Sequence, residues 1–273
     1  MRKFLGWAGV ISILLIGVTA GPARAEVASQ WLPFDATSMA TVDHGPWEQF
    51  LMRYVRIDGS GIHRVAYGDV TEADRAVLDR YIASLTEVPV ATYNRDVQMA
   101  YWINLYNALL VRLVLEHYPI GSVLDIDGGT GRSSPWDLKL IEIDGHALSL
   151  RDIQDRILRP IWHDPRLHYA LSCAALGCPN LQPVPYEGAR LNEQLTEAAI
   201  DYINDRRCLE MAGDGLVVSS MFRWYREDFG GSDRGVISHL LAFAEPRLAM
   251  RLQQFDRING DVFDWRLNDG TLP

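Results

Sequence analysis

Cysteine is scarce in this chain: three occur in 273 residues, and none precedes Cys173. That is too few for a disulfide-built scaffold, and no thiol near the N-terminus could accept a lipid anchor. Stability therefore has to come from a hydrophobic core. Positive charge is also short, with 26 Lys and Arg against 35 Asp and Glu for a net charge of −9. Such a balance argues against non-specific binding of nucleic acid or anionic lipid. The chain shows no internal repeat, low-complexity tract or obvious linker. The run Asp127-Gly128-Gly129-Thr130-Gly131 has no P-loop lysine and no strand-to-helix context, so it reads as a surface loop rather than a phosphate cradle.

What is present begins with a leader. Arg2 and Lys3 form a basic start, Phe4–Val18 an apolar stretch too short to span a bilayer, and Ala23-Arg24-Ala25 an A-x-A cleavage site before Glu26. This pattern predicts a signal peptide over 1–25 and a mature protein that is periplasmic or secreted, with no stable membrane anchor. Cleavage removes Arg2, Lys3 and Arg24, so 23 basic residues face 35 acidic ones, a net charge near −12. The remaining 26–273 can bury a sizeable core as one larger domain, its core spanning about 47–268.

The chain is organised around Asp96–Pro119, DVQMAYWINLYNALLVRLVLEHYP. No glycine or proline interrupts Val97–Tyr118, and apolar residues fill nearly every helical angle, so the spacing predicts a helix buried inside the domain. Arg112, Asn104 and Asn107 break the apolar run, which favours a core helix over a membrane span. The two asparagines stand at i and i+3. Buried amides must find partners or cost roughly 1–3 kcal/mol each, so they are expected to bracket loops, to face a site, or both.

Around this helix the pattern predicts an α+β domain with a small antiparallel sheet. Thr71 is a plausible N-cap for Glu72–Leu85. Leu138–Ile143 and His146–Leu148 read as a hairpin on an Asp144-Gly145 turn. Ser149 can cap a helix over Leu150–Leu158 that Pro160 stops. Leu167–Ser172 reads as a buried strand opening into a loop from Cys173 to Pro185, and Leu216–Ser219 as a further strand.

Five stretches carry a resemblance: YWINLYNALL (101–110), LSLRDIQDRILR (148–159), DPRLHYALSCAALGCP (164–179), MFRWYREDF (221–229) and FDWRLN (263–268). Together, and in this order, they resemble the DUF547 family, a domain of unknown function found in bacteria and plants. Members often carry Glu-His where this chain has Gln154-Asp155. The family has been likened to papain-like and transglutaminase-like folds, which would imply thiol chemistry; that likeness is an analogy of fold, and fold alone does not license function.

The densest chemical constellation is His163, His168, Cys173 and Cys178. A thiol hydrolase or acyltransferase needs a thiolate, an imidazole and an orienting amide or carboxylate. Cys173 or Cys178 could serve as nucleophile, His168 as base and Asn107 or Asn104 as orienting amide, with backbone amides of Ala174–Gly177 as oxyanion donors. On a strand, His168 and Cys173 fall on opposite faces, which slightly favours Cys178. The alternative is a Cys173–Cys178 disulfide in an exported, non-catalytic binding or scaffold domain. Asn104, Trp224, Tyr225 and Arg166 are candidates for contacting a substrate, with a cell-envelope peptide or glycan as the expected partner. The spacing H-x4-H-x4-C-x4-C is looser than zinc sites usually use, so no metal and no cofactor are expected.

Overall fold

The structure, a computed structural model, describes residues 29–57, 59–126, 134–213 and 215–271. The leader over 1–25 and most of the glycine-rich loop, 127–133, lie outside the described residues. Helix α1 (Gly45–Tyr54) leads into an antiparallel pair, β1 (Val55–Ile57) and β2 (His63–Val65). Helix α2 (Glu72–Thr86) starts where Thr71 accepts the Asp74 amide, as its sequence position predicts. Helix α3 (Arg95–His117) is capped by Asn94, whose side chain accepts from the Val97 amide. From Val97 to Leu115 every residue of α3 is buried except Arg112, which reaches the Leu140 carbonyl at 2.6 Å. Each fully buried Leu or Ile here contributes about 1.5–3 kcal/mol by transfer from water, so α3 is the spine of the main core.

The hairpin of β3 (Lys139–Ile143) and β4 (His146–Ser149) turns on Asp144 and Gly145, both left-handed. This is the geometry an Asp-Gly pair adopts to match strand twist. Ser149 caps the next helical segment by accepting the Asp152 amide. That segment does not stop at Pro160. It runs as a π-helix over Asp152–Leu158 and continues as α4 (Arg159–Trp162). A proline ring clashes with an α-helical carbonyl four residues back. The wider turn, in which the Arg159 amide reaches Gln154, lets the helix pass through.

A second correction concerns Leu167–Ser172. Residues Leu167–Ala170 form a short helix, α5, rather than a strand. Its residues divide between two cores: Leu167, Ala170 and Leu171 join the cluster around α3, while Tyr169 joins a second cluster. That second cluster is built by α6 (Leu191–Ile203), α7 (Met221–Trp224), α8 (Asp233–Phe243) and α9 (Pro246–Leu252). It also takes in β5 (Leu209–Ala212) and β6 (Gly215–Ser219) of a three-stranded sheet completed by β7 (Gly260–Val262). In that sheet β5–β6 is antiparallel and β6–β7 parallel. The fold is α+β, and the candidate site lies at the seam that α5 spans.

Candidate functional site

The loop after α5 is held from several sides. Asn107 on α3 donates to the Ala170 carbonyl and accepts the Ser172 amide, both at 2.9 Å. The C-terminal stretch 264–268 runs alongside: the Leu176 amide donates to Arg266, Gly177 to Asp264, and the Asn268 amide returns to Ala174. Gly177 is required by this approach, since a Cβ there would sit 2.8 Å from the Asp264 nitrogen. Tyr202 and Arg207 hold the Gly177 and Cys178 carbonyls. Ala174 takes a left-handed conformation within the loop.

Cys173 and Cys178 are bonded to each other, with their Cα atoms 5.7 Å apart. In this state neither offers a thiolate. Cys178 is buried, and its sulfur accepts the Ala175 amide at 3.2 Å. Cys173 lines a cavity of about 360 Å³ together with His168, Ser172, Gln154, Asp155 and Arg159. Because α5 is helical, the strand parity that set His168 and Cys173 on opposite faces does not apply. Cys208 is free but buried, and burial pushes its thiol well above the ordinary value, so it is chemically quiet.

His168 is 2% exposed. Its ring stacks on Tyr225 at 4.2 Å, and its Nε2 lies 2.7 Å from Asp228 Oδ2. Burial pushes the Asp228 carboxyl up, but His168 and Arg159 together hold it below the usual carboxylate range. Arg159 grips Asp228 with two hydrogen bonds at 2.6 and 2.9 Å, and its third contact is Asp155 at 3.0 Å. Burial lowers the His168 imidazole despite the Asp228 charge, so the ring is neutral near pH 7 and Arg159 supplies the charge that keeps Asp228 ionised. An ionised carboxylate only accepts, so the His168 proton sits on Nε2 and Nδ1 carries the lone pair. Gln154 points its amide nitrogen at Nδ1 from 3.5 Å, a weak contact. The result is an oriented, neutral imidazole at the cavity lining whose Nδ1 carries only the weak Gln154 contact, a state in which a histidine can act as a general base.

Much of the remaining lining is aromatic. Trp224 stacks on Trp265 at 5.4 Å, Phe263 packs against both, and Trp136 meets Trp265 edge-on at 5.8 Å. Trp224 is 46% exposed, which leaves an open apolar face at the mouth. Burial pushes the Tyr225 hydroxyl up to about 12, so it stays protonated. Tyr106, 1% exposed, also lines the cavity, and its hydroxyl accepts Nε1–H of Trp136, another lining residue, at 3.1 Å.

Of the residues singled out from sequence, the cavity gathers Cys173, His168, Trp224 and Tyr225. Asn107 stands behind it, both ends of its amide spent on the backbone of the cysteine loop. Asn104 does the same for Tyr186, donating to its carbonyl at 2.8 Å and accepting its amide at 3.0 Å, away from the cavity. Arg166 is committed to Asp164, Asn192 and Thr196 and does not line it. The backbone amides of Ala174–Gly177, expected as oxyanion donors, all have partners inside the protein, as does that of Cys178. Sequence reading did not pair Asp228 with His168, nor place Gln154 and Tyr106 in the site. The one available signal was that Asp228, Gln154 and Tyr106 all fall within the five stretches that carry the family resemblance.

Residues 90–203 match the model of the family described as "Protein of unknown function, DUF547". No curated protein matches the chain, and no solved structure does. The matched span holds Tyr106, Gln154, His168 and both loop cysteines. The lining residues Trp224, Tyr225 and Trp265, and Asp228 behind His168, lie beyond it.

Proposed function

Starting from a chain that carries a domain of the DUF547 family, we propose that it is an exported thiol-dependent hydrolase or acyltransferase acting on amide bonds. The observation that supports this reading is that Cys173 and a histidine oriented by Asp228 line one cavity. The disulfide closes the resting site, and a dithiol reductant opens it by taking up the bond and returning two thiols. His168 Nδ1 then accepts the Cys173 proton as sulfur attacks the carbonyl carbon. The leaving amine takes that proton from His168, and water or an acceptor amine releases the acyl group from sulfur. The leader over 1–25 supports export. The aromatic mouth suits a peptide or glycan segment of the cell envelope.

The loop itself supports a chemical rather than a structural use of the disulfide. Closing so short a ring is worth about 2 kcal/mol by chain entropy, and the loop is already pinned by Asn107, Tyr202, Arg207 and the 264–268 backbone. The second reading, a binding or scaffold domain stapled by Cys173–Cys178, is favoured by the bond itself.

Iodoacetamide labelling with intact mass separates the two. After mild reduction, Cys173 should alkylate at least ten-fold faster than Cys178 and Cys208, and His168→Ala should remove that advantage. Cys178→Ser should make Cys173 reactive without reductant, at a stability cost of no more than about 2 kcal/mol. If Cys173 in the reduced protein reacts like an ordinary thiol and ignores His168→Ala, the staple reading stands and the enzyme reading falls.

A further inference from the structure

An acyl transfer site needs a donor for the oxygen that gains charge as the carbonyl is attacked, and removing one such donor typically costs about 100–1,000-fold in rate. The cysteine loop cannot supply it from Ala174–Cys178, whose amides are all committed: Ala174 to Ser172 Oγ, Ala175 to Cys178 Sγ, Leu176 to Arg266, Gly177 to Asp264 and Cys178 to Ala175. Among the described residues the Cys173 amide is the one N–H of that loop without a protein acceptor. A second donor is carried by a residue that lines the same cavity. The Tyr106 hydroxyl accepts Trp136 Nε1–H at 3.1 Å, and no acceptor among the described residues takes its own proton.

We infer that Tyr106, polarised by Trp136, is the donor that binds the substrate carbonyl oxygen and the oxyanion that develops on it, alongside the Cys173 amide. This inference rests on the acyl-transfer reading of the cavity. A hydroxyl that accepts a hydrogen bond donates more strongly, so the Trp136 contact aims and strengthens the Tyr106 proton. A phenol buried to 1% exposure that leaves its proton unused is costly unless something fills that position. A carbonyl oxygen does so without displacing any protein bond. Burial raises the Tyr106 hydroxyl far above its ordinary value, so it remains a donor throughout the pH range of activity.

The test compares two probes of the same sulfur in the reduced full-length protein. p-Nitrophenyl acetate acylates Cys173 through a tetrahedral oxyanion, whereas iodoacetamide alkylates it by direct displacement at carbon with no oxyanion. Tyr106→Phe should slow acylation about 100-fold and leave alkylation within two-fold. Trp136→Phe, which keeps an aromatic ring and removes the N–H, should slow acylation in the same sense by a smaller factor. Equal slowing of both probes in Tyr106→Phe, or no slowing of acylation in either variant, overturns the assignment of Tyr106 while leaving Cys173 as nucleophile. Wild-type Cys173 inert to both probes overturns the thiol reading beneath it.

Discussion

Asn104 and Asn107 offer a matched pair of perturbations. Both lie on the same face of α3, both are buried to 1–2% exposure, and each spends its amide on one backbone carbonyl and one backbone amide. Replacing either by alanine leaves two buried backbone groups without partners, at about 1–3 kcal/mol each. The expected loss is therefore about 2–6 kcal/mol in both variants. For a chain of this length that corresponds to a fall in Tm of about 2–4 °C per kcal/mol. The functional consequences diverge, because Asn104 holds the Tyr186 strap while Asn107 holds Ala170 and Ser172, the two ends of the turn that presents Cys173. Urea unfolding of the two alanine variants should give similar losses of stability. Iodoacetamide rates for reduced Cys173, measured well below each midpoint, should drop only in Asn107→Ala. A loss below 1 kcal/mol in both would refute the bracketing argument. An equal drop in Cys173 reactivity in Asn104→Ala would refute the separation of the two loops.

Gln154→Glu places a carboxylate against His168 Nδ1, so both ring nitrogens can donate and the charged imidazolium gains a second partner. The His168 pKa should rise, followed by the pH midpoint of its ring resonances in NMR; an unchanged or lower midpoint rejects the tautomer assigned above. Stability should also fall at mild acidity. Burial pushes both His44 and His239 down to about 4, and it lowers His168 as well. Between the unfolded value near 6.5 and these folded values the unfolded chain binds more protons, so stability is complete above about pH 6.5 and is lost as pH falls. His44 and His239 should each cost about 2–3 kcal/mol at pH 4.5. Urea titrations at pH 7 and 4.5 check this, and equal stability at the two would refute it.

Much of the framework was determined by local chemistry. Asn94 and Thr71 cap their helices because each side chain meets an amide three residues ahead. The Asp144-Gly145 pair turns its hairpin because both residues tolerate the left-handed region. Val97–Tyr118 is central because an all-round apolar helix has nowhere to lie except inside. The same local logic singled out His168, Cys173, Trp224 and Tyr225. It failed where the deciding interaction was distant or the segment short. Leu167–Ala170 is too brief for its apolar pattern to separate helix from strand, and its two-sided burial comes from cores on either side. Pro160 ends a helix by default, yet here the π-turn before it absorbs the clash. Asp228 lies sixty residues from His168, and two amides of the cysteine loop, Leu176 and Gly177, are taken by 264–266, nearly ninety residues on. Those pairings carry no local period or spacing. Only the packing of 225–229 against His168 and of the C-terminal stretch against the cysteine loop sets the carboxylate behind the base and completes the cavity that holds base, cysteine and tyrosine, because hydrogen-bond partners are chosen by proximity in space, which sequence separation does not record.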